Sequence, residues 1–426
     1  MTTSFVWVAF CMLVMMRMLQ VSTLQEGMSH PSLCFYSNKT QVLCSLIRYK
    51  GGPVIPNVNV QLLFWESYDP SLKEQLSTFF VDITDSPYLD WLTEYSPNSS
   101  AVLGRGMLGG IYTIQSPDKS KSLSSSLVLD TLDSLICNGT LPSPDVRGNT
   151  LYFIAFPSGY VVDRAGSSCQ NNIAAWHDSF YSDSLGRYVA YAIHPWTYGC
   201  LNLASFLDGL TAFQWLTAIA SHELVESITN PLGSGWVNDI LQTHEIADAC
   251  EWTTMPFGVV STENCNQYTV SYALSQLTQE TCVLSVEQAS DFAVAVSPRI
   301  LTIDAGGSAI VAIDTFTTTG APQNLSFSIL GIPDSVQAQL SSFFLISGDY
   351  TTMNLSVTAS AASVVDAMVS VVAANEERWY HSAGFLLTIN GVTPTVEPCK
   401  NNSSSSQSGL LLDLWTLLFY LVKKFF

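Results

Sequence analysis

The chain has 426 residues, enough for two or three domains with sizeable cores. Its formal net charge is −19 with only 16 Lys and Arg, and no basic cluster of five or more occurs, which argues against nucleic acid as a partner. Charged residues are 12% of the chain, and Ser, Thr and Asn supply most of the polarity, a surface suited to a secreted glycoprotein.

Residues 1–23 read as a secretory signal peptide. Phe5 to Met16 is an apolar run too short to span a membrane, followed by small polar residues around Val21-Ser22-Thr23. Its removal takes Cys11 and leaves nine of the ten cysteines. In a secreted chain these read as disulfides, with Cys399 as the odd one. Proximity favours Cys34 with Cys44, Cys169 with Cys200, and Cys250 with Cys265 or Cys282. No C-x-x-C pair supports a thiolate zinc cluster. Sequons at Asn38, Asn98, Asn138, Asn324, Asn354, Asn401 and Asn402 fit passage through a glycosylating pathway.

Residues 24–285 mix strand-like and helix-like segments. Val58 to Trp65 and Leu151 to Phe156 are apolar runs of strand length. Pro70 to Asp82 and Phe206 to Thr229 read as helices, the second stopped at Asn230-Pro231. Gly104-Arg105-Gly106-Met107-Leu108-Gly109 has the spacing of a dinucleotide loop, but strand-like Tyr112-Thr113-Ile114 follows, so a glycine turn between strands is expected. His177 and His194 read as structural or exposed histidines. Residues 288–392 alternate in short segments, such as Phe292 to Val296 and Leu325 to Ile329, between Gly, Pro and Ser-rich turns. That is the pattern of an antiparallel, immunoglobulin-like β-sandwich without the Cys…Trp…Cys signature. Residues 393–426 form a Ser/Asn-rich stalk and an apolar end, the layout of a GPI-anchor signal.

The chemistry concentrates in Ala220-Ser221-His222-Glu223-Leu224-Val225-Glu226 and His244-Glu245-Ile246-Ala247-Asp248. His222 and Glu226 stand four apart, on one face of a helix. A catalytic zinc needs three protein ligands and an open position for water, with a carboxylate nearby to take the proton. His222 and Glu226 fit as two ligands, Glu245 as the third, and Glu223 as the general base. His244 and Asp248 compete as ligands, and Asp248 also fits as a carboxylate orienting the His222 imidazole. The usual motif is H-E-x-x-H. Glu at the second His position makes the donor set oxygen-rich, so Mn²⁺ or Ca²⁺ competes with Zn²⁺.

Tyr49-Lys50-Gly51-Gly52-Pro53-Val54, the segment Ala220 to Pro231, Trp236-Val237-Asn238-Asp239 and Glu245-Ile246-Ala247-Asp248-Ala249-Cys250 occur in the order seen in the Exordium, or phosphate-induced, family. The chain resembles the microbial branch of that family over residues 48–285. The resemblance implies an extracellular, cell-wall-associated protein, and its His-Glu pair implies a zincin-like site. The expected fold is therefore an α+β zincin-like (metallopeptidase-like) domain followed by an all-β immunoglobulin-like sandwich. The expected function is metal-dependent hydrolysis of a peptide or cell-wall substrate. The alternative is a non-catalytic, carbohydrate-adhesive protein that stacks sugars on Trp65, Trp91 or Trp196.

Overall fold

The computed structural model describes residues 47–391 apart from 119, 164–172, 200–208, 239–244, 251–255, 279–280 and 287, and the backbone of Cys34–Ser37 and Gln41–Cys44. The signal segment, the tail, Cys169, Cys200, Cys399, His244, Asn38, Asn401 and Asn402 lie outside the described residues.

Every residue of β1 (Asn57–Trp65) is buried, as expected of a strand covered on both faces. It pairs in parallel with β2 (Gly104–Ile114) and β3 (Thr150–Ala155), and β3 pairs in parallel with β5 (Arg187–His194). The antiparallel β4 (Trp176–Ser182) closes this edge. Alternate β1 residues enter different cores. Val60, Leu62 and Phe64 pack with α1 (Pro70–Thr84) and α3 (Ala212–Thr229), while Leu63 and Trp65 pack with α2 (Ser125–Cys137). Helices thus cover both faces of a parallel sheet, an α/β layering rather than the α+β one expected. Trp65 and Trp91 are almost fully buried in these cores, which removes them as sugar-stacking surfaces.

The second half is β throughout. One sheet runs β7 (Asp291–Ser297), β9 (Ser308–Thr319), β13 (Tyr350–Val357), β11 (Val336–Leu340). It faces strands β10 (Asn324–Leu330), β14 (Val364–Asn375) and β15 (Tyr380–Asn390) across a core that includes Phe292, Val311, Met353, Val371 and Phe385. β12 (Phe344–Ile346) extends the second sheet beyond β10, and β8 (Ile300–Asp304) runs parallel to β15. The chain as a whole is mostly β, with a sandwich as expected.

The two halves share one ten-stranded sheet, because β15 lies parallel to β2 with Ala383 opposite Arg105. The glycine run is the reason this join exists. Gly104 to Gly110 lies within a strand, not in the turn expected, and a side chain on Gly104 would strike the backbone of Ser382. Asn57 Nδ2 completes the seam by donating to the Arg105 carbonyl at 2.8 Å and to Ser382 Oγ at 3.1 Å.

Cys250 is bonded to Cys282, which resolves the two alternatives left by the sequence, and Cys265 is bonded to a different cysteine. Cys34 and Cys44 face each other in the register of their two strands. The sequon asparagines Asn98, Asn138, Asn324 and Asn354 are all exposed.

Candidate metal centre

Helix α3 begins at Ala212, six residues later than its apolar pattern suggests. Thr211 stops it by accepting the Gln214 amide at 3.2 Å, while the Gln214 side chain accepts from the Thr211 amide at 2.9 Å. This capping box satisfies two of the amides that every helix start leaves without partners. The other end falls at Thr229, where Asn230-Pro231 was expected to end it. Trp215 to Thr229 is buried on all sides, against β4, β5, α1 and β6 (Gln267–Ser271). Thr217 donates to the Thr269 carbonyl and Ser221 accepts from the Ser271 amide, both at 2.8 Å. A helix buried all round carries whatever charges it has into the interior.

Those charges are His222, Glu223 and Glu226. His222 Nε2 lies 3.2 Å from Glu226 Oε2 and 3.4 Å from Asp248 Oδ1. The other Glu226 oxygen accepts the amides of Ala247 and Asp248 at 3.0 and 2.8 Å. The turn bearing Asp248 ends at Cys250, so the Cys250–Cys282 bond anchors it to the neighbouring strand Thr281–Val283.

A further residue completes the cluster. Trp176 of β4 points into the α2-side core, so His177, next along the strand, turns to the α3 side. Its Nδ1 lies 3.2 Å from Glu223 Oε2 and 3.9 Å from Glu226 Oε2, and its Nε2 lies 3.3 Å from Glu245 Oε1. From sequence His177 reads as a structural or exposed histidine that could reach a site, since a lone histidine beside a tryptophan carries no spacing signal. Glu245, the expected third ligand, is instead engaged by His177 and by the Asn230 side-chain amide. Asp248 is the acid that joins His222 and Glu226. His194 is buried far from water against Phe153, and burial lowers its pKa to about 3.

Four carboxylates therefore surround two histidines. The ion pairs of Glu223, Glu226 and Glu245 among the described residues are all with those histidines. Burial, helped by Asp248 and Glu245 and opposed by His222, pushes the Glu226 carboxyl up to about 8. Burial alone would lower both histidines, but the surrounding carboxylates outweigh it and hold His177 and His222 well above the usual histidine range. Without a cation the cluster relieves its repulsion by holding protons. Side-chain exposure rises from 3% at Glu226 to 14% at Glu245 and 25% at Asp248, so the cluster opens to solvent on the Asp248 side. Two groups are disposed as ion ligands: His222, Glu226 and Asp248, and His177, Glu223 and Glu226, with ligand atoms within 4.8 Å of one another in each.

No protein-family profile matches the chain, and no curated protein does. Parts of it are weakly similar to solved structures. Domains 4 and 5 of the S-layer protein SbsC align over 32% of this chain and 66% of that one, at 7% identity and a TM-score of 0.18. The BIgI domain of beta protein from S. agalactiae, solved bound to CEACAM1, aligns over 24% of this chain and 99% of that one, at 10% identity and a TM-score of 0.17. The secreted serine protease VesC from Vibrio cholerae aligns over 23% of each chain, at 15% identity and a TM-score of 0.18. The chain thus spans just under two thirds of the SbsC fragment. Scores this low say nothing of activity or partners.

Proposed function

We propose that this protein is a secreted, Exordium-like glycoprotein of the cell surface with a zincin-like site, which hydrolyses a peptide or cell-wall-linked acyl bond. The observation that carries this reading is the buried cluster of four carboxylates and two histidines on and around α3, with its surplus of negative charge. Buried charges left unbalanced cost several kcal/mol each, and a divalent cation balances them.

His222 Nε2, Glu226 Oε2 and Asp248 Oδ1 would be the ligands. Zinc bonds of about 2.0–2.2 Å in tetrahedral geometry place ligand atoms roughly 3.4 Å apart. The separations of 3.2 and 3.4 Å fit that spacing. One histidine with two carboxylates also suits Mn²⁺ or Ca²⁺, so zinc is the first ion to test. When bound, such an ion lowers the pKa of a coordinated water and polarises a carbonyl. Glu223, beside His222 on the helix, would be the carboxylate placed to take the proton. Glu226 is oriented by the amides of Ala247 and Asp248, and substrate enters from the Asp248 side. The Cys250–Cys282 bond and four exposed sequons support secretion, and a GPI-type tail in residues 393–426 would hold the protein at the surface.

The contact of Glu223 with His177 favours a second reading, in which the base is already engaged and the ion is structural. The test is the metal content of the purified full-length protein, wild type against His222→Ala and Glu226→Ala. Bound metal that both variants lose supports the site, and wild-type protein that takes up no zinc, manganese or calcium sinks it. Glu223→Gln separates the two readings. Loss of turnover on a peptide library, with the ion retained, supports hydrolysis; unchanged turnover excludes Glu223 as base.

A further inference from the structure

The geometry points to a second divalent-cation position beside the first, formed by His177 Nδ1, Glu223 Oε2 and Glu226 Oε2, with Glu226 bridging the two ions. This inference rests on the metal-site reading above. It goes beyond that reading in ion number, in a ligand drawn from a different element, and in what the second ion does to Glu223.

Three observations carry it. First, the two ligand groups meet only at Glu226, among the described residues, so one ion does not serve both histidines. Second, the separations around His177 Nδ1, 3.2 Å to Glu223 and 3.9 Å to Glu226, bracket the roughly 3.4 Å spacing of tetrahedral ligands at zinc. Third, the groups are already oriented as ligands. His177 turns its Nε2 to the Glu245 carboxylate, the outer contact that fixes the imidazole of a metal-bound histidine. Glu245 is itself held by Asn230, which caps the C-terminus of α3. Glu226 uses one oxygen for two backbone amides, so the other, Oε2, faces both histidines. A single carboxylate oxygen shared in this way suits ions about 3.5–4 Å apart, the spacing of two-metal hydrolytic centres.

The second ion has a chemical consequence. It binds Glu223, the carboxylate that otherwise takes the proton from water on the first ion. Filling the second position therefore withdraws the base, and excess metal suppresses the hydrolysis that the first ion supports.

The experiment is equilibrium dialysis of the purified full-length protein against buffered free Zn²⁺, with bound metal measured by mass spectrometry. Wild type is expected to bind two equivalents, the second more weakly. His177→Ala and His177→Gln are expected to bind one, Asp248→Asn one, and Glu226→Ala none. Circular dichroism of each variant establishes that it folds, and the two His177 substitutions guard against a defect peculiar to one. Repeating the dialysis with Mn²⁺ adds a spectroscopic check, because ions at this spacing give an exchange-coupled resonance signal that His177→Gln loses. A single equivalent in wild type, unchanged by either His177 substitution, overturns the second position and leaves the first site intact. Two equivalents that persist in both His177 variants also overturn it. No bound metal in wild type overturns the underlying site as well.

Discussion

Two of the places where the protein buries charge treat it in opposite ways. At the seam between its halves, Arg105 lies 2% exposed on β2. Its Nε and Nη2 donate to the two oxygens of Asp90 at 2.8 and 2.7 Å, and Nη1 pairs with Glu263. Arg299, next to the sandwich strand β8, reaches back to Asp85 at 3.0 Å and to the Gly106 carbonyl. Burial alone would lower the Arg105 pKa, but Asp90 and Glu263 outweigh it and raise it, so this cation stays charged. At α3 the ion pairs of Glu223, Glu226 and Glu245 among the described residues are all with histidines. The seam is balanced by its own side chains and therefore reads as structural. At α3 no Lys or Arg pairs with Glu223, Glu226 or Glu245 among the described residues, which makes the cluster a candidate for binding an ion.

The largest effect expected from this contrast is at the seam. Arg105→Met leaves Asp90 without its partner in a buried setting and should cost about 3–5 kcal/mol in urea denaturation. A loss below about 1 kcal/mol would show that the seam is solvated and that the contrast fails. Adding metal should act only at α3. At a free ion concentration 100 times its dissociation constant, stability should rise by about 2.7 kcal/mol, and Glu226→Ala should abolish the rise while Arg105→Met retains it.

The pH dependence sharpens the comparison further. In metal-free protein the Glu226 carboxyl is pushed up to about 8 from the usual glutamate value of 4.5, and both histidines are also raised. A raised folded pKa adds stability below the unfolded value, and that stability is lost as pH rises through the folded value. Chelated protein should therefore weaken as pH rises from about 4.5 toward 8, by up to about 1.4 kcal/mol per pH unit for each proton released, with the histidines adding to the loss above 6.5. Glu226→Gln should flatten that slope, and stability that instead grows with pH would contradict the arrangement. The smallest effect is local: Thr211→Ala removes the α3 cap and should cost about 1 kcal/mol at any pH, with or without metal.

Local patterns were legible wherever one residue's chemistry sufficed. Alternation in residues 288–392 announced the sandwich strands, the apolar run at Val58 announced β1, and proline after Asn230 announced the end of α3. The start of α3 was misplaced, because apolar periodicity runs past the boundary that the Thr211–Gln214 cap sets. The glycine run was taken for a turn, since sequence does not reveal that Ser382, nearly 280 residues later, packs against Gly104. Within the site, His222, Glu223 and Glu226 were readable because one helix sets their spacing.

His177 was not readable, because a strand and a helix about 45 residues apart in sequence meet only when the sheet closes. That Asp248 lies beside His222 while Glu245 lies beside His177 likewise depends on a turn tied down through Cys250. Sequence alone determined the ionisable residues of α3 and their common face, since a helical repeat is a local property. Tertiary structure decided which acids and which second histidine surround them, and that no Lys or Arg pairs with Glu223, Glu226 or Glu245 among the described residues. That balance of charge comes from elements folding against one another, so no single stretch of sequence contains it.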